Sequence, residues 1–267
     1  MNPPDPTFAI EVDVSNPGQF FACCGLFEFA HRLWPGAEAW FEPGRFLVRC
    51  PAAPERALEA LVDACSNAEL IQLDPEDNAA SPIVVGPPFD LRLDWWRDEM
   101  AGGKQLKVWA GSMRNVRIAR AMQHAMRAIE PANLPRMFAH GTVVRDPDQP
   151  VNKVEPFYFD ARRGRNARSL DIGFTPDALE MTSTAFPAVE FLCLVGLQRF
   201  RPAPMQQPRC FEYSTWTVPL PIPSAVPVVA GSIDGFNDRC FRFETAFRTG
   251  QKKHKCFMPA APTRGGQ

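Results

Sequence analysis

The sequence predicts an α+β fold with ferredoxin-like strand–helix–strand units and a largely antiparallel sheet. Three observations predict it: the first 75 residues follow the order strand, helix, hairpin, helix, strand; a second apolar helix pattern covers residues 186–200; and strand patterns dominate the chain after it. The chain has 267 residues, of which 45% are hydrophobic and 22% charged, enough to bury a core. We expect a single α+β body over residues 1–267, with residues 261–267 as a loose tail.

The N-terminal unit begins with a strand and a buried helix. Residues 8–14 alternate between apolar and polar side chains, as in a half-buried strand. Ser15 or Asn16 can then cap a helix over residues 17–33 that begins with proline, and Trp34-Pro35-Gly36 is a stop signal. Apolar side chains cover most of the circumference of this helix, so we expect it to be buried.

A hairpin, a second helix and a strand complete this unit. Strand-like runs at 39–41 and 45–50 are joined across residues 42–44, which read Glu-Pro-Gly. An amphipathic helix pattern extends from 54 to about 68, and residues 70–73 follow it as a strand. This order is that of a ferredoxin-like unit.

The remaining chain divides into loops, two long helices and several strands. Residues 78–88 have the composition of a loop, and a helix pattern covers about 112–129 before two prolines end it. The second apolar helix, at 186–200, is closed by Arg-Pro. The expected strands are 89–95, 211–220, 226–229, 240–247 and 254–258.

The two apolar helices have proline and glycine at corresponding positions. Pro17 and Gly25 in the first correspond to Pro187 and Gly196 in the second, with Pro-to-Gly spacings of 8 and 9 residues. A duplication would divide the chain into two related halves, residues 1–150 and 151–260. The alternative is that two buried helices each need a small residue for close packing.

The eight cysteines are predicted to be free thiols, most of them buried. The chain has neither a C-x-x-C pair nor a Cys/His set at zinc-ligand spacing, and a free cysteine packs as a small hydrophobic residue. The adjacent Cys23 and Cys24 lie inside the first apolar helix, where His31 is the nearest base along the sequence. A catalytic thiolate needs a nearby base and a polar setting, so we expect neither thiol to act as a nucleophile.

Sequence signatures of catalysis are scarce. The motifs H-E-x-x-H, G-x-S-x-G, G-x-x-x-x-G-K-[ST] and G-x-G-x-x-G do not occur, and the four histidines are far apart. We therefore expect a protein that is not an enzyme, with no catalytic residue, metal or cofactor. The lack of a long apolar window and of a signal-peptide pattern predicts a cytoplasmic protein that does not enter a membrane.

Charge is balanced over the chain but clustered locally. With 29 basic and 30 acidic side chains, no bulk field attracts nucleic acid. The clearest cluster lies on the helix predicted at 112–129, where a basic face without acidic partners at i±4 opposes an apolar face. The basic residues of this helix are Arg114, Arg117, Arg120, His124 and Arg127. An all-basic helix face favours contact with phosphates.

A second basic cluster lies in the stretch FYFDARRGRNARSLD. Its members are Arg162, Arg163, Arg165 and Arg168, and the aromatic residues 157–159 precede them. Arginines beside aromatic side chains suit backbone phosphates and stacked bases. The alternative is that Asp160 and Asp171 pair with two of these arginines.

A third, weaker cluster lies in the stretch RTGQKKHK near the C-terminus. Lys252, Lys253 and Lys255 lie at a predicted hairpin tip, where charge also protects edge strands from aggregation. Three tryptophans can be either stacking platforms or core residues, namely Trp95, Trp96 and Trp109. The apolar alternation before the first of them predicts that two of the three are buried.

Several longer blocks resemble a family of small CRISPR-associated proteins. The blocks are NPGQFFACCGLFEFAHRLWPGAEAWF, LRLDWW, LKVWAG, EPFYFDARRG and FPAVEFLCLVGLQRFRP, and together they extend over most of the chain. They look like the third of the "b" series of subtype-specific proteins encoded with subtype I-G (formerly I-U) CRISPR–Cas systems. The resemblance implies a role in antiviral defence, as a subunit or accessory of an RNA-guided type I effector with RNA-recognition-like α+β folds.

The resemblance supplies partners but no active site. Where the family reads LKTWAGQQ, this chain has LKVWAGSM at 106–113, so contacts by residues 108 and 112–113 are not carried over. The leading hypothesis is a non-catalytic ribonucleoprotein component that binds guide RNA or target DNA and contacts effector subunits. The first alternative is a protein-only docking factor for those subunits. The second is a metal-dependent nuclease that uses Asp160 or Asp171.

Overall fold

A computed structural model describes the chain from residue 5 to residue 263, except residues 78, 111–112, 164–183, 234, 249–251 and 253. Within these ranges the fold is mixed α+β, and every pair of neighbouring strands is antiparallel. The described residues contain no helix long and apolar enough to cross a membrane.

The elements follow one another in an order close to the predicted one. The helices are α1 Pro17–Leu33, α2 Ala57–Asn67, α3 Gly103–Leu106, α4 Asn115–Met126, α5 Pro187–Arg199 and α6 Ile222–Val229, with 3-10 segments at Trp95–Arg97 and Pro131–Ala139. The first six strands are β1 Phe8–Glu11, β2 Glu38–Glu42, β3 Arg45–Arg49, β4 Leu70–Gln72, β5 Ile83–Val85 and β6 Leu91–Leu93. The last six strands are β7 Ala203–Pro204, β8 Cys210–Trp216, β9 Leu220–Pro221, β10 Asn237–Phe247, β11 Lys255–Phe257 and β12 Ala261–Pro262.

The strands divide among three sheets rather than forming the single sheet expected. One sheet has the order β1-β3-β2-β9, a second has β11-β10-β8-β7 with β12 also on β10, and a third has β4-β5-β6. The fourth strand of the N-terminal unit therefore pairs with β5 and leaves the sheet of β1. The hairpin of β2 and β3 is in the predicted place, with Gly44 at φ +72° in its turn, a conformation that favours glycine.

Helices α1 and α5 have the boundaries that their sequence signals indicate. Asn16 accepts a hydrogen bond from the Gly18 N–H at 3.1 Å, and proline occupies the first turn of both helices, where no N–H donor is needed. The predicted range of 17–33 is confirmed, and α5 is one residue shorter at each end than the predicted 186–200. Because residues are buried on all sides of both helices, they form the centre of the core.

The two helices cross at their glycines. A Cβ added to Gly25 would lie 2.0 Å from the Leu192 carbonyl oxygen, and one added to Gly196 would lie 2.0 Å from the Phe21 carbonyl oxygen. Both approaches are far below van der Waals contact, so only glycine allows the backbones to meet here. The corresponding glycines of the two helices therefore have a packing role, while an origin of the two halves by duplication stays a prediction.

One continuous cluster of buried apolar side chains extends along the chain from Phe8 to Ala260. Most of the cysteines belong to this cluster. Seven of the eight free thiols are buried, and Cys240 is half-buried. The prediction of buried thiols is therefore confirmed. Burial raises the pKa of Cys23 and Cys24 well above the ordinary value, which keeps both protonated and unreactive.

Two of the predicted elements are wrong. Residues 226–229 belong to helix α6 rather than a strand, because Ile222, Ala225 and Val229 recur at helical spacing and are buried where the helix packs on β8. Residues 83–85, expected in a loop, form the central strand of the third sheet. Proline and glycine on both sides of this three-residue run conceal it in the sequence.

Candidate nucleic-acid interface

The basic residues of the α4 region share one exposed face. Arg114 and Arg127 flank the helix, and the five cationic or titratable side chains follow a single line along it, here named the α4 ridge: Arg114, Arg117, Arg120, His124 and Arg127. The opposite face is buried through Ile118, Met122 and Met126. The helix is shorter than predicted, starting at Asn115 and ending at Met126.

Three arginines of the ridge are held by contacts with other elements. Arg117 Nε lies 2.6 Å from Asp146 Oδ2, which is an acidic partner that the i±4 pattern could not reveal. Arg120 Nη2 donates to the Leu70 carbonyl at 2.8 Å, and Arg127 donates from Nε and Nη2 to the Ser66 carbonyl at 3.0 and 2.9 Å. The guanidiniums are therefore fixed in place before any ligand binds.

The carbonyls that receive these donors lie at and just beyond the C-terminal end of α2. Carbonyls in the last turn of a helix, such as that of Ser66, have no partner within the helix, so donors from another element satisfy them. Gln123, buried on α4, adds two more donors, to the carbonyls of Cys65 at 2.9 Å and Ala68 at 2.7 Å. The side chains of α4 thus fasten the helix to α2 and β4.

Asp146 is a buried carboxylate beside the ridge. The Asp148 backbone N–H and the Arg117 side chain both hydrogen-bond to it and hold its pKa below the ordinary value, against the opposing effect of burial. The aspartate is therefore ionised at neutral pH. It balances the charge of Arg117, whereas Arg114, Arg120 and Arg127 form no ion pair within the described residues.

Two clefts adjoin the ridge. The first, of about 290 Å³, is bordered by Arg114, Arg117 and Arg120 on one side and by Gln72 and the Asp146 loop on the other. The second, of about 250 Å³, shares Arg114 and Arg117 and adds Lys153 and Glu155. Within the part of the chain that the structure describes, the side chains of Arg114 and His124 make no hydrogen bond or ion pair, so both are available to a ligand.

The second predicted cluster is only partly visible. Arg165, Arg168 and Asp171 lie outside the described residues. Arg162 forms the ion pair that the alternative hypothesis predicts, with Nη2 at 2.6 Å from Asp160 Oδ2, and it also donates to the Phe138 carbonyl at 2.6 Å. Its charge is therefore committed to internal contacts.

Asp160 belongs to a buried polar network between the first turns of α1 and α5. Its Oδ1 accepts from Asn16 Nδ2 at 3.0 Å as well as from Arg162. Glu190 lies beside it and accepts the backbone N–H groups of Phe159 and Asp160 at 3.2 and 3.1 Å. Since both Asp160 oxygens already accept internal donors, this residue gives no support to the nuclease hypothesis.

Glu190 was not singled out by the sequence patterns. It is fully buried, and burial raises its pKa to about 7, with the neighbouring Asp160 charge acting in the same direction. The backbone N–H groups that it accepts oppose this rise. A signal was available, because Glu190 is the one acidic residue in a largely apolar helix, as is the buried Glu28 in α1.

Tyr158 lies beside Arg163, the other arginine of this cluster among the described residues. Its backbone has φ +72°, an uncommon conformation for a bulky residue, and its hydroxyl donates to Glu155. Arg248 lies 3.3 Å and Arg163 lies 5.4 Å from the ring centroid. Burial raises the pKa of Tyr158 to about 12, so it stays protonated.

The third cluster is also divided. Lys253 lies outside the described residues, and Lys252 is exposed. Lys255 donates from Nζ to the carbonyls of Lys104 at 3.0 Å and Gln105 at 2.5 Å, where it caps the C-terminal end of α3. Burial and nearby cationic side chains lower its pKa to about 8, so it is not a freely solvated cation.

The aromatic residues considered as stacking platforms are all buried. The side chains of Trp95, Trp96 and Trp109 form one cluster, and each indole N–H donates to a backbone carbonyl. Residues 157–159 are buried as well. A platform role is therefore wrong for these residues, and burial extends to all three tryptophans rather than two.

The structure brings the α4 residues together, but it does not join the described residues of the second and third clusters to them. Neither cleft beside α4 is lined by Arg162, Arg163, Lys252 or Lys255. Within the described ranges, no group of three His, Cys, Asp or Glu side chains could hold a metal ion. The α4 ridge is consequently the best candidate for a binding surface.

Comparison of the chain with protein-family models, with curated proteins and with solved structures gave no match.

Proposed function

We propose that this protein is a non-catalytic component of an RNA-guided antiviral effector of the CRISPR–Cas type, and that its α4 ridge binds the phosphates of guide RNA or target DNA. The observation that carries the proposal is the line of exposed basic residues from Arg114 to Arg127, with no acidic residue in the helix between them. The resemblance of several sequence blocks to subtype I-G proteins supports the proposed cellular setting. Cytoplasmic effector subunits are the expected protein partners.

Fixed arginines favour this function on physical grounds. Binding costs conformational entropy when a long side chain is ordered, and Arg117, Arg120 and Arg127 are already ordered by Asp146 and by carbonyls. Each keeps N–H donors that are not used internally, because a guanidinium carries five. Arg114, which has no hydrogen bond or ion pair within the described residues, adds a charge at one end of the ridge. Together these groups suit a row of phosphates.

The fold supports the same proposal at a coarser level. We propose that β1, α1, β2, β3 and α2 are a ferredoxin-like unit of the kind found in RNA-recognition domains. The adjacency of β1, β3 and β2 in one antiparallel sheet agrees with it. The strand that would complete the unit, β4, lies instead beneath α4, where its Leu70 carbonyl holds Arg120.

The decisive experiment reverses the charge at Arg114. Arg114→Glu should weaken binding of a labelled RNA on the order of tenfold at low salt, because it removes one phosphate contact and adds a repulsive charge. Arg56→Glu is the matched control, since Arg56 is an exposed arginine remote from α4 in sequence. Fluorescence anisotropy measures the affinity, and thermal unfolding verifies that both variants are folded.

Equal affinities of Arg114→Glu and the wild-type protein would remove the ridge from the binding site. Reversal of the other ridge arginines is a poorer test. Because Arg117, Arg120 and Arg127 hold other elements in place, their loss would change folding together with binding.

A protein-only docking role is the second candidate. Two apolar side chains of β4 and the residues after it, Ile71 and Leu73, are 39% and 46% exposed on either side of Gln72, which borders the first cleft. Exposed apolar side chains at such a place favour contact with another protein. A docking factor would copurify with tagged effector subunits after RNase treatment and would not bind free RNA at low salt.

A further inference from the structure

The α4 helix is embedded in the protein surface rather than raised above it. Between the exposed ridge residues, Val116, Ala119, Ala121 and Gln123 are all buried, although they flank the ridge on both sides. A helix that reads bases lies inside the major groove, which is about 8.5 Å deep, so it must stand clear of the surrounding protein surface. Since only a single line of side chains reaches solvent, α4 can touch phosphates but cannot enter a groove.

The ridge also lacks the aromatic side chains that single strands require. Proteins that bind single-stranded nucleic acid stack its bases on exposed aromatic rings. Among the large apolar side chains that are exposed in the described residues, the aromatic one is Phe236, which directly precedes β10 and borders neither cleft beside α4. The tryptophans nearest to the ridge in sequence are buried.

The spacing of the ridge suits a dense and regular array of charge. Arg114 and Arg127 are separated by 13 positions, which correspond to about 20 Å of helix. A duplex presents one phosphate charge per about 1.7 Å of its axis, so about twelve phosphates lie along this length. A duplex holds them in place without further ordering, whereas a single strand would have to be ordered along the ridge at an entropic cost.

We infer that the α4 ridge binds the phosphate backbone of a nucleic-acid duplex in preference to a single strand, without reading its sequence. The inference rests on the proposed function and narrows its substrate class. The shared ligand chemistry is a double row of phosphodiesters, which an RNA duplex, a DNA duplex or an RNA–DNA hybrid can supply.

The test compares five probes of the same sequence and about 16 nucleotides or base pairs in length: an RNA duplex, a DNA duplex, an RNA–DNA hybrid, and the RNA and DNA single strands. The full chain, wild type and Arg114→Ala, is titrated with each probe by anisotropy at several salt concentrations. We expect at least one duplex to bind tenfold or more tightly than both single strands. The duplex arms then identify the source of the phosphates.

The salt dependence supplies a second readout. With the Arg117 charge balanced by Asp146, three free charges predict a slope of log Kobs against log salt of about −2.7 on a duplex. Arg114→Ala should reduce the steepness of this slope by about 0.9, and the exposed control Arg56→Ala should leave it unchanged.

The outcomes separate this inference from the proposed function. Single strands that bind as tightly as the duplexes, with affinity that still depends on Arg114, would overturn the duplex preference and leave the proposed function standing. Failure of all five probes to bind, or binding that ignores Arg114→Ala, would overturn both. Duplex binding that is tighter than single-strand binding in the wild type, and that becomes weaker with a shallower salt slope in Arg114→Ala, would support both.

Discussion

Gly25 of α1 and Gly196 of α5 face each other where the two central helices cross. A Cβ on Gly25 would lie 3.0 Å from the Gly196 nitrogen, and one on Gly196 would lie 2.7 Å from the Gly25 nitrogen. Each helix thus presents a glycine to the backbone of the other, in a reciprocal contact. Since both helices are buried on all sides, this crossing sets the distance between the layers packed on them.

Gly25→Ala and Gly196→Ala should each destabilise the protein by about 3 kcal/mol, as overpacked cores do. The added methyl group would meet a backbone carbonyl that cannot move without separating the helices. The usual gain of about 1 kcal/mol from replacing glycine by alanine in a helix acts in the opposite direction and is outweighed. Urea denaturation followed by circular dichroism measures the change.

Gly86→Ala is the matched control for the crossing. Its added Cβ would lie 3.4 Å from the nearest atom, which is an ordinary contact, so a change below about 1 kcal/mol is expected. Crossing variants as stable as this control would show that the helices can separate without cost, contrary to the packing described above.

Glu190 should make stability depend on pH between about 4.5 and 7. Its pKa is about 7 in the folded protein and near 4.5 in the unfolded chain, so the folded state binds the extra proton in this interval. The free energy of unfolding therefore has its full contribution from Glu190 below pH 4.5 and loses it as pH rises through 7, by about 3 kcal/mol at most.

Glu190→Gln isolates this effect because glutamine has a similar shape and does not ionise. The difference in unfolding free energy between wild type and Glu190→Gln, measured in urea at pH 5, 6, 7 and 8, should shift steadily in favour of the variant as pH rises. A difference that stays constant across this range would mean that Glu190 does not titrate there.

Arg127→Ala should lower stability by about 1 kcal/mol because two donors to the Ser66 carbonyl are lost. His124→Ala is the control, since His124 lies on the same ridge and its side chain makes no hydrogen bond or ion pair with the described residues. Chemical denaturation of the two variants provides the comparison. Equal stability of both would mean that the link from Arg127 to α2 contributes nothing measurable.

Iodoacetamide should label a single thiol in the native protein. Cys240 is half-buried, whereas the other seven cysteines are buried, and burial raises the pKa of Cys23, Cys24 and Cys193 well above the ordinary value. Mass spectrometry after labelling at pH 8 should find one modification, and eight after denaturation. Rapid native labelling of Cys23 or Cys24 would contradict the burial of α1.

Local signals predicted much of the fold. Asn16, the proline after it and the Trp-Pro-Gly stop define α1 within the sequence itself, and the predicted helix agrees with the structure at both ends. The valines of α6 favour a strand locally, whereas Ile222, Ala225 and Val229 recur at helical spacing, and burial against β8 decides between the two in favour of the helix. The transfer of β4 to another sheet has no local signal, since strand partners are distant in sequence.

The sequence predicts which charged residues line the candidate site, but it does not predict the contacts that these residues make with other elements. Helical spacing is enough to align Arg114, Arg117 and Arg120 on one face. The partners of these arginines come from residues 29 or more positions away, as with Asp146 for Arg117 and the Leu70 carbonyl for Arg120. Which cations are free and which are committed therefore depends on tertiary structure.

The crossing of α1 and α5 has a consequence for the continuity of the chain. Helix α1 precedes Arg163 in the chain, and helix α5 follows Thr184. A single proteolytic cut between Arg163 and Thr184 would therefore place the two helices on different fragments, which the contact of Gly25 with Gly196 would still join. Neither fragment could cover its apolar helix alone. A nicked molecule should therefore migrate as one particle in gel filtration, because non-covalent contacts hold the two fragments together. It should give two bands under denaturing electrophoresis.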